Sequence, residues 1–193
     1  MGGNSQRAPV DAGYSVTELI FVVGIMAVLA SMAVFQIGQS RPSALGDGAM
    51  RVVLSQMNAA RELAITQRRN MRLTFVNNTA TIVREEVPGP TLTTLSAIPF
   101  EGGLQYTTIT GLPDTPDGFG YSSAVVFSTA TGTPPEVKFA PDGTLINQDG
   151  QPLNGSVFVG LPGQKMSARA VTIFGSTGRI RGYRWDGATW KPV

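Results

Sequence analysis

The stretch GYSVTELIFVVGIMAVLASMAVF, residues 13–35, decides how the rest of the chain is read. From Leu19 to Phe35 only Gly24 and Ser31 interrupt the apolar run. As a helix rising about 1.5 Å per residue, that run nearly crosses a bilayer core. Glu18 stands at its mouth, where an ionised side chain is costly and calls for a functional reason. Gly13 precedes it by five residues, behind a short polar leader that holds Arg7. Two plainer readings compete. A secretory signal peptide would place its small-x-small cleavage site at Ser31-Met32-Ala33, but it wants a basic leader and no glutamate against the core. A plain single-span anchor accounts for the length and leaves the Gly13/Glu18 spacing unexplained.

This combination resembles the signal of the type IV pilin and pseudopilin family. The resemblance implies that a membrane-bound prepilin peptidase cuts after Gly13 and methylates Tyr14 as the new first residue. The chain would then comprise a leader (1–13), a membrane-spanning assembly helix (14–37) and a head (38–193). Glu18 becomes the glutamate at position five of the mature chain. A carboxylate there has a physical task, because it neutralises the cationic amine of a neighbouring subunit as apolar helices pack. Tyr14 stands where the family usually has phenylalanine, and keeps the ring. Major pilins often carry a proline near Phe35, and none occurs there.

Of the 193 residues, about 150 remain for a head, enough for one domain with a core. The net charge of +2 names no partner, but its distribution is uneven. Residues 85–163 hold eight acids and one base, Lys138, a net of −7. Residues 164–193 hold six bases and one acid, Asp186, a net of +5. A polyanion would bind at that tail. The sequence has no cysteine and no histidine, so it holds together without disulfides. Most metal sites and most nucleophile–base pairs are thereby excluded. Abundant Gly, Thr and Pro with little charge suit a turn-rich β domain.

After the apolar run, Gly38–Gly48 (GQSRPSALGDG) reads as a loosening or break in the helix, because Pro42 and two glycines weaken it. Helical spacing returns over about 49–69, with Ala49, Val53, Met57, Ala60 and Ala64 on one face to be covered by a sheet. Beyond Asn70 the period falls to two. Met71–Val76 and Thr79–Arg84 flank Asn77-Asn78, a pair suited to a hairpin turn. Val87–Thr94 reads as a loop and Leu104–Ile109 as a strand. Gly111–Tyr121 reads as a solvated loop whose acids lack the spacing of a calcium-binding loop. Further strands fall at Ala124–Ser128, Glu136–Ala140, Val157–Leu161, Ala170–Phe174 and Arg179–Trp185. Turns follow at Pro141-Asp142-Gly143, Ser176-Thr177-Gly178 and Asp186-Gly187, and Thr144–Gly155 reads as a hairpin connection. Helix followed by strands gives the α+β class.

ARELAIT (Ala60–Thr66), the F-x-P-D-G run at Phe139–Gly143 and STGRIRGY (Ser176–Tyr183) are similar to the GspH/FimT branch of minor pilins and pseudopilins. That likeness implies a long N-terminal helix whose second half packs on antiparallel sheets. It also implies a bacterial inner-membrane, single-pass protein with a periplasmic head that joins other pilin or pseudopilin subunits in a filament. The machine would be a type IV pilus or a type II secretion pseudopilus, with the subunit initiating or capping the filament. No cofactor, small-molecule substrate or enzymatic activity is expected, since G-x-S-x-G, phosphate-loop and H-E-x-x-H motifs are missing.

The tail carries the one candidate binding chemistry. Strand alternation puts Arg179, Arg181, Tyr183 and Trp185 on one face and turns Ile180 to the core. Two guanidiniums beside two rings could pair phosphates and stack bases. Arg169, Arg184 and Lys165 would widen the patch. Gly178-Arg179-Ile180-Arg181 matches the G-R-x-R motif associated with DNA binding in competence minor pilins, so the resemblance also implies an alternative role in DNA uptake. The plainer reading is a solvated strand face whose rings cover the sheet.

Overall fold

The computed structural model describes residues 13–89, 91–128 and 137–193, with side chains given except at 34–40. The leader residues 1–12, Pro90, residue 136 of the strand expected over Glu136–Ala140, and the Phe35 side chain lie outside the described residues. Ser15 opens helix α1 (Val16–Gln67), its Oγ accepting a hydrogen bond from the Thr17 amide at 3.3 Å and its carbonyl one from the Leu19 amide at 3.1 Å. The chain divides into two compact units, Met1–Gln39 and Ser40–Val193. In the first, Val16–Ala33 has a mean hydropathy of 2.2 and no buried residue. It is the one helix among the described residues long and apolar enough to cross a membrane.

Among the described residues, the second unit contains the rest of α1 and eleven short strands. They are β1 (Met71–Val76), β2 (Thr79–Glu85), β3 (Leu92–Pro99), β4 (Gln105–Tyr106), β5 (Val125–Phe127), β6 (Val137–Phe139), β7 (Leu145–Ile146), β8 (Gly155–Gly160), β9 (Arg169–Phe174), β10 (Arg179–Trp185) and β11 (Trp190–Pro192). One antiparallel sheet runs β3-β2-β1-β6-β7 and the other runs β11-β10-β9-β8-β4. β5 joins β4 along the same edge of β8. The class is α+β. Asn77 and Asn78 take φ of 48° and 66°, the left-handed pair that a two-residue hairpin turn needs, and β1 pairs with β2 from Met71↔Arg84 to Val76↔Thr79.

Ala49, Val53, Met57, Ala60 and Ala64 are all buried, as their spacing requires. They enter a core with Leu73 and Phe139 of the first sheet and Val157, Val171 and Ile173 of the second. Gly182 keeps β10 close to the helix, because a Cβ there would lie 3.1 Å from the Met50 sulfur.

Two expectations need correcting. The expected break over Gly38–Gly48 does not occur, since α1 continues to Gln67 with Pro42 inside it. Tertiary contacts outweigh local propensity there. The guanidinium of Arg169, fully buried, donates from Nε to Asp47 Oδ1 at 2.7 Å and from Nη2 to the Ser43 carbonyl and Oγ, each at 2.8 Å. Its Nη1 donates to the Met166 carbonyl at 3.0 Å and the Ala168 carbonyl at 2.8 Å. Ser43 and Asp47 can face one guanidinium because helical residues four apart lie on one face. Gly46 sits against the Lys165–Ser167 3-10 turn, where a Cβ would collide with the Ser167 carbonyl. The second correction is β3, which occupies part of the expected loop over Val87–Thr94. It shows no regular inside–outside alternation because it is an edge strand, and it is strand by virtue of pairing with β2.

Replacing Arg169 with Ala should lower the unfolding free energy by about 3 kcal/mol, since it strands acceptors that the buried charge satisfied. The exposed Arg184→Ala change should stay within about 0.5 kcal/mol. Denaturant titration of the full chain in detergent checks both.

Candidate functional site

The arginine-bearing strand β10 pairs antiparallel with β9, with Arg179 opposite Phe174, Arg181 opposite Thr172 and Tyr183 opposite Ala170. The alternation holds. Arg179, Arg181, Tyr183 and Trp185 share the outer face, and Ile180 packs on the helix-side core. Arg179 and Arg181 both lie over the Phe174 ring, at 5.8 and 5.6 Å, and Phe119 meets that ring edge-on at 4.8 Å.

The outer face is nevertheless not open. Residues 107–121, read from the sequence as ending in a solvated loop, lie across it and bury Ile109 and Leu112 against Phe158, Tyr183, Trp185 and Trp190. Asp117 pins this cover. Its carboxylate accepts from Arg181 Nη1 at 2.9 Å, from Thr172 Oγ1 at 2.6 Å and from the Tyr183 hydroxyl at 2.9 Å. Trp190 Nε1 donates to the Pro113 carbonyl at 2.9 Å, and the Tyr121 hydroxyl donates to the Ile109 carbonyl and accepts from its amide. Asp114 shapes the segment from within, accepting from the Thr115 and Gly120 amides. Burial first, and then the Asp117 carboxylate, hold the Tyr183 hydroxyl above the ordinary tyrosine pKa.

Three members of the sequence-derived patch change role. Tyr183, 4% exposed, and Trp185, 6% exposed, are core residues and offer no ring face to a base. Arg169 is fully buried in the ion pair with Asp47, because its five N–H groups all find acceptors inside the head. Arg184 is exposed but turns to the opposite face, opposite Arg169 and Lys191 in register. Lys165, exposed in the 3-10 turn, lies beside Gly111 of the cover. Only Arg179 and Arg181 come together, and Arg181 is already paired. Asp117 was the residue missed. The apolar spacing of Ile109, Leu112 and Tyr121 was the available sign that this segment lies on something.

In the first unit, Gly13 and Tyr14 precede α1 in exposed positions and Glu18 falls in its first turn. Ser15-Val16-Thr17-Glu18 also has the form of a helix capping box, and an acid there suits the helix dipole.

No family model and no curated protein matches the sequence. Among solved structures, the chain is similar to the Pseudomonas aeruginosa PAO1 type IV minor pilin FimU, with 14% identity, 80% of this chain and 95% of that chain covered, and a TM-score of 0.47.

An Asp117→Ala change should loosen the cover by about 2 kcal/mol or more, because it removes three hydrogen bonds to a carboxylate, one of them from a guanidinium. Amide exchange over residues 107–121 should then speed up while β9 stays protected. The Tyr183 contribution to stability should be complete below about pH 10 and drain away as pH rises through its raised folded pKa.

Proposed function

We propose that this chain is a minor pilin or pseudopilin, a structural filament subunit without enzymatic activity. The observation that carries the reading is Gly13, then Glu18 five residues on, then the apolar helix Val16–Ala33. On this reading residues 1–13 are a leader removed by prepilin peptidase. Residues 14–37 then anchor the protein in the inner membrane and pack against other subunits, and residues 38–193 form a periplasmic head. The subunit acts in initiating or capping a type IV pilus or a type II secretion pseudopilus. The branch similar to GspH/FimT remains the one whose motifs the head carries, at Phe139–Gly143 and Ser176–Tyr183. The alternative, DNA capture by the tail, is favoured less: the rings are buried, and among the described residues Arg181 is held in an ion pair, which leaves Arg179 on that face.

Mass spectrometry of membrane-extracted protein, from cells with a working prepilin peptidase, should show a chain beginning at N-methylated Tyr14. An intact leader, or a start at Val34, would sink the reading. Glu18→Ala should be cleaved normally but enter filaments poorly, because the neighbouring amine loses its counter-charge. Normal incorporation would remove that role from Glu18 and leave it a helix-capping residue.

A further inference from the structure

The end of α1 carries a second concentration of charge. Arg68 and Arg69 follow its last residue, Gln67, and the Arg69 amide closes the helix by donating to the Ala64 carbonyl at 3.3 Å. In such a termination the residue after the helix takes a left-handed conformation and is usually glycine, sometimes asparagine. Here it is Arg68, at φ 50°. A long cationic side chain in that place is a local cost that the turn itself does not call for.

The groove that Arg68 lines supplies a reason. Arg68, Arg69, Arg72, Glu85, Glu86 and Thr91 line a groove of about 500 Å³. The two glutamates are already engaged. Glu85 accepts from Asn70 at 3.0 Å and Arg72 at 3.1 Å, and Lys138 stands 3.6 Å away. Burial pushes its carboxyl up, but those donors and charges together hold it below the ordinary glutamate value. Glu86 is paired with Arg84 and is held low, first by that hydrogen bond and more weakly by the charge of Arg69. Arg68 and Arg69 themselves make no ion pair among the described residues. Among the described residues, Arg68, Arg69, Arg72, Arg84 and Lys138 gather around Glu85 and Glu86 at this end of the head.

We propose that this groove is a binding site for a single anionic group, a phosphate or a carboxylate, held by the guanidiniums of Arg68 and Arg69. Guanidiniums suit both groups, since each presents parallel N–H donors to two oxygens. The glutamates on the same wall set the size of the charge. A run of phosphates, as on a nucleic-acid backbone, would bring its neighbouring charges against Glu85 and Glu86, whereas one isolated anion would not. The site is separate from the covered face of β10 and does not depend on the filament reading.

The simplest alternative is that both arginines only complement the negative end of the helix dipole. Thermal unfolding of the full chain in detergent separates the two. Inorganic phosphate and acetate are compared, one at a time, with chloride at matched ionic strength. At least one of the two anions should raise the melting temperature in a saturable way, and which of them does so assigns phosphate or carboxylate. Arg68→Gly keeps the turn, because glycine adopts positive φ freely, and together with Arg69→Gln it should weaken the anion by about tenfold or more. An anion-induced shift of the same size in the double variant would overturn the proposal. So would the failure of both anions to exceed chloride in the parent chain.

Discussion

The head is organised around one buried cation. Arg169 has no exposed surface, and a guanidinium so placed would cost several kcal/mol if its donors went unmet. All five N–H groups find acceptors, drawn from two turns of α1, the 3-10 turn and β9's own approach. That demand explains why α1 stays helical beyond Pro42. Ser43 and Asp47 present their oxygens to one guanidinium only while the helix holds them four residues apart on one face. The small residues follow from it, since the helix must come close enough to reach. Gly46 lets it rest on the Ser167 carbonyl, and Gly182 lets β10 approach Met50.

With the helix fixed on one side, the second sheet would still expose an aromatic surface on the other. Residues 107–121 solve this without regular secondary structure of their own, which is why hydrogen bonds to side chains hold them in place. β8 and β9 are consequently buried on both faces and read as nearly continuous apolar runs. The cover also changes the electrostatics. The acidic middle and basic tail of the sequence meet in the Asp117–Arg181 pair, and Arg169 takes Asp47, so much of the tail's positive charge is spent within the molecule.

The two units place different demands on residue type. Val16–Ala33 leaves its apolar side chains exposed and so needs an apolar surrounding, while Glu18 and Ser15 begin its helix. In the head the apolar stripe from Ala49 to Ala64 is covered by the head's own sheets.

What rests on local period and local turn chemistry is legible in the residues alone. The apolar span, the buried stripe of α1, the β1–β2 hairpin at Asn77-Asn78, the strands β8 to β10 and the face shared by Arg179 and Arg181 all follow from spacing, because neighbours along one helix or strand fix which side chains share a side. What lies on those faces is set by packing between distant segments. Helix propensity argued for a break at Pro42, and a buried arginine 127 residues away overrode it. β10 looked like an open platform until Asp117, 64 residues before Arg181, closed it. Burial of Tyr183 and Trp185, the loss of Arg169 to the interior and the separation of Arg184 from Arg181 depend on contacts between distant segments. Local spacing can show that a segment has an apolar side, as Ile109, Leu112 and Tyr121 do, but not which distant segment covers it.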